Sequence, residues 1–152
     1  MKHTIAILGI TTLILGAAPT VHAQTTNTLS TQSKGNIYQQ ASDKLKSGDY
    51  AGAIEAYNQV LLFDANDSDA YVNRGIARFQ LGDKRGALQD FNQALSLNPT
   101  NAEAYTQRGG VYLTMGEKRK AKADFQKAAK IRRSQSSVND QQAPNPNAPP
   151  QQ

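Results

Sequence analysis

The chain has 152 residues, 17 Lys/Arg against 12 Asp/Glu for a formal net charge of +5, and 38% hydrophobic residues, enough for one domain. It contains no cysteine, and its only histidines are His3 and His22. Beyond His22, disulfides, thiolate nucleophiles, His-based acid/base chemistry and nearly every zinc site are therefore excluded, and neither an enzyme nor a metal or cofactor site is expected.

At the N-terminus, Lys2 and His3 precede an apolar run from Ile5 to Ala18, and Val21-His22-Ala23 offers small residues flanking a cleavage point before Gln24. Residues 1–23 thus read as a cleaved export signal. The run is shorter than the roughly 20 residues a membrane span needs, and Gly9, Thr11 and Thr12 interrupt it. The expected site of action is a periplasm, a lumen or the medium. Residues 24–33, rich in Thr, Ser and Gln, read as a flexible leader.

The next hundred residues repeat themselves. Gly48-Asp49, Gly82-Asp83 and Gly116-Glu117 lie 34 residues apart. In the same phase stand Ala53, Ala87 and Ala121, then Tyr57, Phe91 and Phe125, then Val60, Ala94 and Ala128. Ahead of the glycines come Ile37, Tyr71 and Tyr105, with Ala41, Gly75 and Gly109 four residues after them. Six columns in phase over three periods make an internal repeat. Apolar and small residues recur at three- and four-residue steps on both sides of each glycine, so each period is predicted to be two helices. The glycine can end the first helix in the left-handed conformation, and Asp49 or Asp83 can cap the second. Asp64-Ala65-Asn66-Asp67 and Asn98-Pro99-Thr100-Asn101 read as turns between periods. A calcium loop over the first of these fails, because Asp69 and Gly75 stand where Gly and Glu are needed.

These residues resemble the tetratricopeptide repeat family, whose unit is a 34-residue helix-turn-helix. Tyr71, Gly75, Leu81-Gly82, Ala87, Phe91, Ala94 and Pro99 carry the likeness in the middle repeat. Tyr105, Gly109, Tyr112, Gly116, Ala121, Phe125 and Ala128 carry it in the third. The first repeat is looser, with Lys44 in place of the Tyr112 aromatic and Ala65 in place of Pro99. The resemblance implies an all-α solenoid of three repeats (34–67, 68–101 and 102–133) in a right-handed array. No terminal capping helix is expected, because 134–152 turns to Ser, Gln, Asn and Pro and reads as a disordered tail.

The resemblance also implies a concave groove, lined by the first helix of each pair, that takes a peptide or helical segment of a partner protein. The candidate contacts are Tyr38, Gln39 and Ser42; Val72, Asn73, Ile76 and Gln80; and Thr106, Gln107 and Thr114, at helical spacing on one stripe. Some family members clamp a C-terminal carboxylate there with lysines and asparagines. Here Asn73 alone fits, while Tyr38, Ser42, Glu103 and Gln107 occupy the other clamp positions, so a neutral segment held by amide hydrogen bonds is the expected ligand.

Two further constellations stand out. Arg74 and Arg108 lie eight residues before their turn glycines, and Asp90 and Asp124 eight after, which predicts an Arg–Asp bridge between paired helices in repeats two and three. Lys118, Arg119, Lys122, Lys127, Lys130, Arg132 and Arg133 make the C-terminal end basic. That end either docks on an acidic partner, anionic lipid or polymer, mediates weak self-association, or is lysine stems shielding an uncapped solenoid end. Nucleic acid is not expected, since interleaved aromatics are nearly absent, and membrane contact is at most peripheral.

Overall fold

The computed structural model describes residues 22–142, with side-chain surroundings over 34–137. It comprises α1 (His22–Ser47), α2 (Tyr50–Phe63), α3 (Ser68–Gln80), α4 (Lys84–Leu97), α5 (Ala102–Thr114) and α6 (Lys118–Gln142). There is no strand among the described residues. The helices pair as α1–α2, α3–α4 and α5–α6; α2 packs on α3 and α4 on α5, while α1, α3 and α5 lie side by side.

The turns follow from their residues. Gly48, Gly82 and Gly116 have φ of 83°, 85° and 80°, a region that a Cβ would strain. The Gly82 amide donates to the Phe79 carbonyl at 2.9 Å and the Asp83 amide to the Arg78 carbonyl at 2.9 Å, closing the end of α3. Asp83 then caps α4 by accepting from the Gly86 amide at 2.9 Å, and Asp49 caps α2 from the Gly52 amide at 3.0 Å. The inter-repeat turns work alike: Asp67 accepts from the Ala70 amide and Asn101 from the Ala104 amide, both at 2.9 Å.

The core is built on small residues that let helices approach. A Cβ on Gly75 would lie 2.8 Å from Phe91 Cε1, and one on Gly109 2.8 Å from Phe125 Cε1, so each aromatic ring lies against a bare backbone of its partner helix. Ala41, Ala53, Tyr57 and Val60 form the core of the first repeat together with Ala70 and Ala77 from the second. Ala87, Phe91, Ala94 and Leu95 do the same with Ala104 and Val111 from the third. Each repeat thus lends its first helix to its predecessor's core.

Both terminal helices are longer than predicted. α1 (His22–Ser47) runs through the expected leader over 24–33, and α6 continues nine residues past Arg133. The physical reason is an absence of breakers. The only glycine or proline between His22 and Ser47 is Gly35, and none lies between Lys118 and Gln142. Of the expected signal, residues 1–21 lie outside the described residues, as does the expected tail from 143 onward.

Tyr57 differs from its equivalents by a hydroxyl. The side chain is fully buried and its Oη has no hydrogen-bond partner; Ser42 approaches it without reaching bonding geometry. Burial pushes this phenol well above its ordinary value of 10.0. Tyr57→Phe keeps the ring, removes the unpaired group and is expected to stabilise the fold by about 1 kcal/mol at neutral pH. Because the folded-state value is raised, the contribution of the neutral phenol is complete below pH about 10 and is lost progressively as pH climbs above it. The advantage of Phe therefore widens in alkali. Unfolding midpoints for both proteins at neutral and alkaline pH check this; identical midpoints throughout would mean the hydroxyl is satisfied.

Candidate functional site

A ladder of charged hydrogen bonds crosses the array and fixes α3 and α5 against the second helices of the repeats. Arg74 donates to Asp90 through Nε (3.0 Å) and Nη2 (2.7 Å), and through Nη1 to the Asn58 side chain at 2.7 Å. Arg108 repeats the arrangement one period later, with Nε and Nη2 each 2.8 Å from Asp124 and Nη1 2.7 Å from Asn92. The structure thus brings together the Arg–Asp partners read across the turns. Asp90 and Asp124 are buried, and the guanidiniums also lie over the Tyr71 and Tyr105 rings at 5.3 and 5.4 Å. Sequence reasoning missed Asn58 and Asn92, although each stands 16 residues before its arginine. It also missed Arg78, which donates to Asp90 at 2.9 Å from a column that is not repeated.

The helices α1, α3 and α5 enclose a cleft of about 230 Å³ lined by Tyr38, Asp69, Val72, Asn73 and Glu103. Asn73 Nδ2 donates to the Tyr38 hydroxyl at 2.9 Å, so the two candidates form one polar unit across α1 and α3. Burial raises the Tyr38 phenol above its ordinary range, with the Asp67 charge adding to it; it stays a neutral donor. Sharing Glu103, a second cleft of about 550 Å³ runs between α5 and the far end of α6, where Thr106, Gln107, Arg132 and Gln135 meet the Asn98–Asn101 turn. Arg132 Nη2 donates to Thr106 Oγ1 at 2.9 Å.

Not every predicted contact is available. Val72 is 3% exposed and belongs to the second core cluster; it closes the cleft floor, a correction to its reading as a free groove residue. The reason is that α4 and α5 pack behind α3, and a stripe read from one helix alone cannot show that. Ile76 is half-buried against the same cluster, and Ser42 faces Tyr57. Gln39 bonds to Asp43 on its own helix at 2.9 Å, while the exposed Gln80 and Thr114 line neither cleft. Asp69 and Glu103 are exposed at the cleft, giving the groove a negative rim.

The basic residues of α6 are all exposed but form no single face, which corrects the reading of one basic end face. Arg132 lines the cleft with Thr106 and Gln107, Arg119 lies with Lys120 and Glu117 on another side, and Lys118 and Lys122 border a third cleft with Leu113 and Phe125. Charges at every step of a helix are spread around its circumference.

Tetratricopeptide repeat models match residues 44–106 and 102–135. Among solved structures, the first such domain of Spaghetti, bound to an HSP90 peptide SRMEEVD, is 26% identical with a TM-score of 0.63, over 66% of this chain and 79% of that one. The first domain of human RPAP3 is also 26% identical, with a TM-score of 0.62, over 64% and 77%. The Yersinia enterocolitica secretion translocator chaperone SycD shares the fold at 19% identity, with a TM-score of 0.66 over 70% and 80%. Comparison with curated proteins finds no significant match.

Proposed function

The chain belongs to the tetratricopeptide repeat family, and from that premise we propose that it is a non-catalytic binding module whose concave side holds a segment of another protein. The observation that carries this reading is the pair of joined clefts along α1, α3 and α5, lined with amide and hydroxyl groups at Tyr38, Asn73, Thr106 and Gln107. That the similar Spaghetti domain is bound to a peptide supports a peptide segment as the class of ligand. The acidic character of that peptide does not transfer, because the exposed Asp69 and Glu103 would repel an EEVD-type end. The segment proposed here is neutral and extended, its backbone held by Asn73 and Gln107. The apolar run before Gln24 supports the companion proposal that this binding takes place outside the cytoplasm.

Capture from an exported fraction tests the reading. Asn73→Ala combined with Gln107→Ala is expected to weaken the captured partner about tenfold, the worth of one or two hydrogen bonds. Binding in this groove should change little as salt rises over the range that shortens the Debye length from about 30 to 10 Å. Equal recovery by wild type and variant, or collapse of binding with salt, would move the site to the cations of α6.

A further inference from the structure

We propose that the open end of the array, formed by α6 and the C-terminal part of α5, receives one helix of a partner protein, seated as the first helix of a fourth repeat would be. This surface is separate from the concave clefts. Its central residue is Phe125, which is 38% exposed where its equivalent Phe91 is 0% exposed. Around it lies a cleft of about 420 Å³ with almost wholly apolar walls, including Leu113 and Ala121, bordered by Lys118, Lys122 and Gln126. Leu113 is 53% exposed.

The interface one repeat earlier shows what fits. There α5 buries Ala104 and Val111 in the cluster of Ala87, Phe91 and Ala94. It also donates from Arg108 to Asn92 at 2.7 Å, and its C-terminal carbonyl at Thr114 accepts from Lys84 Nζ at 3.3 Å. The α2–α3 interface follows the same plan with Ala70, Ala77 and the Arg74–Asn58 bond. The central receiving groups recur 34 residues on: Ala87 becomes Ala121, Phe91 becomes Phe125, Ala94 becomes Ala128 and Lys84 becomes Lys118, while Gln126 offers an amide where Asn92 stood. α6 therefore presents the centre of the receptor surface that α4 presents to α5, with Lys122 and Ala129 in place of Leu88 and Leu95 at its edges.

The missing helix is specified by that symmetry. It carries small apolar residues at i and i+7, as Ala104 and Val111 do, and an arginine at i+4 to reach the Gln126 amide oxygen. It ends at Lys118, whose ammonium meets its last carbonyls. Lys122 replaces the apolar Ile54 and Leu88 of the earlier repeats. It adds a second positive charge beside the negative end of the helix dipole and selects for carboxylates there. A second copy of this chain does not supply such a helix. Its only first helix without a predecessor is α1, which bears Asn36, Gln40 and Asp43 at these positions. Burying the Asp43 carboxylate against Phe125 would cost several kcal/mol.

The test uses the full chain and a lactam-stapled peptide copying Asn101–Met115 with blocked ends. In amide-resolved NMR the peptide should shift Leu113, Ala121, Phe125 and Gln126 in a saturable way. The same peptide with Ala104→Asp and Val111→Asp should not. Leu113→Gln in the chain, compared with wild type at a temperature where melting curves show both folded, should weaken the peptide about tenfold or more; Asn73→Ala should leave it unchanged. No shift at about 1 mM peptide, equal shifts with both peptides, or loss on Asn73→Ala would overturn the proposal. So would a dimer in sedimentation that protects Phe125, which would give the surface to a second copy.

Discussion

Replacing Asp90 by Ala is expected to destabilise the array by about 3–5 kcal/mol, the cost of breaking a buried ion pair from one side. Asp90 is 3% exposed and accepts three hydrogen bonds, two from Arg74 and one from Arg78. Its removal leaves two guanidiniums facing each other with no anion between them, and the Arg74 link to Asn58 on the preceding repeat loses its anchor. The loss therefore spreads across the α2–α3 interface. In Asp124→Ala only one guanidinium is orphaned, at the open end of the array where water can enter, so about 2 kcal/mol is expected. Urea titration followed by circular dichroism measures both. A cost below about 1 kcal/mol for Asp90→Ala would show that the network is solvated and not structural.

Phe91→Ala is expected to cost about 3–5 kcal/mol, and Phe125→Ala about half of that. Both rings lie against a glycine of the partner helix, so the intra-repeat contact is the same. They differ in what covers the other side. Phe91 is closed over by α5 and fully buried, whereas Phe125 faces an open cleft. Truncating Phe91 leaves a cavity walled by two repeats, which the array cannot collapse without breaking the Arg108–Asn92 link. Truncating Phe125 leaves a wider cleft that water fills. Equal costs in the same urea titrations would mean that something covers Phe125 in solution as well as α5 covers Phe91.

Much of this architecture is legible in the residues alone because the repeat prints each constraint three times. A lone Gly82 is a weak sign of a turn, but Gly48, Gly82 and Gly116 in register with Ala53, Ala87 and Ala121 leave one economical reading. The Arg–Asp pairing is legible for the same reason: it appears twice and both partners vanish together in the first repeat, at Gln40 and Ala56. Where a feature occurs once, the signal fails. Arg78 joins Asp90 from a position held by Lys44 and Tyr112 elsewhere, and no periodicity announces it. The ends of α1 and α6 were misplaced because polar composition was read as a boundary. Polar residues without glycine or proline continue a helix that is already nucleated.

The sequence by itself determined the unit: two helices, a left-handed glycine between them, small residues where rings must lie, and no chemistry-bearing histidine or cysteine beyond His22. Those are local or nearest-neighbour properties, set by backbone sterics and by contacts at short separation along the chain. What one repeat leaves open to the next was decided only in three dimensions. Val72 and Phe125 are both apolar and both in helices, yet one is sealed beneath its neighbours and the other is not, because solvent exposure depends on whether another repeat stacks above. Side chains more than a repeat apart settle that by meeting or failing to meet, and spacing within a helix carries no record of it.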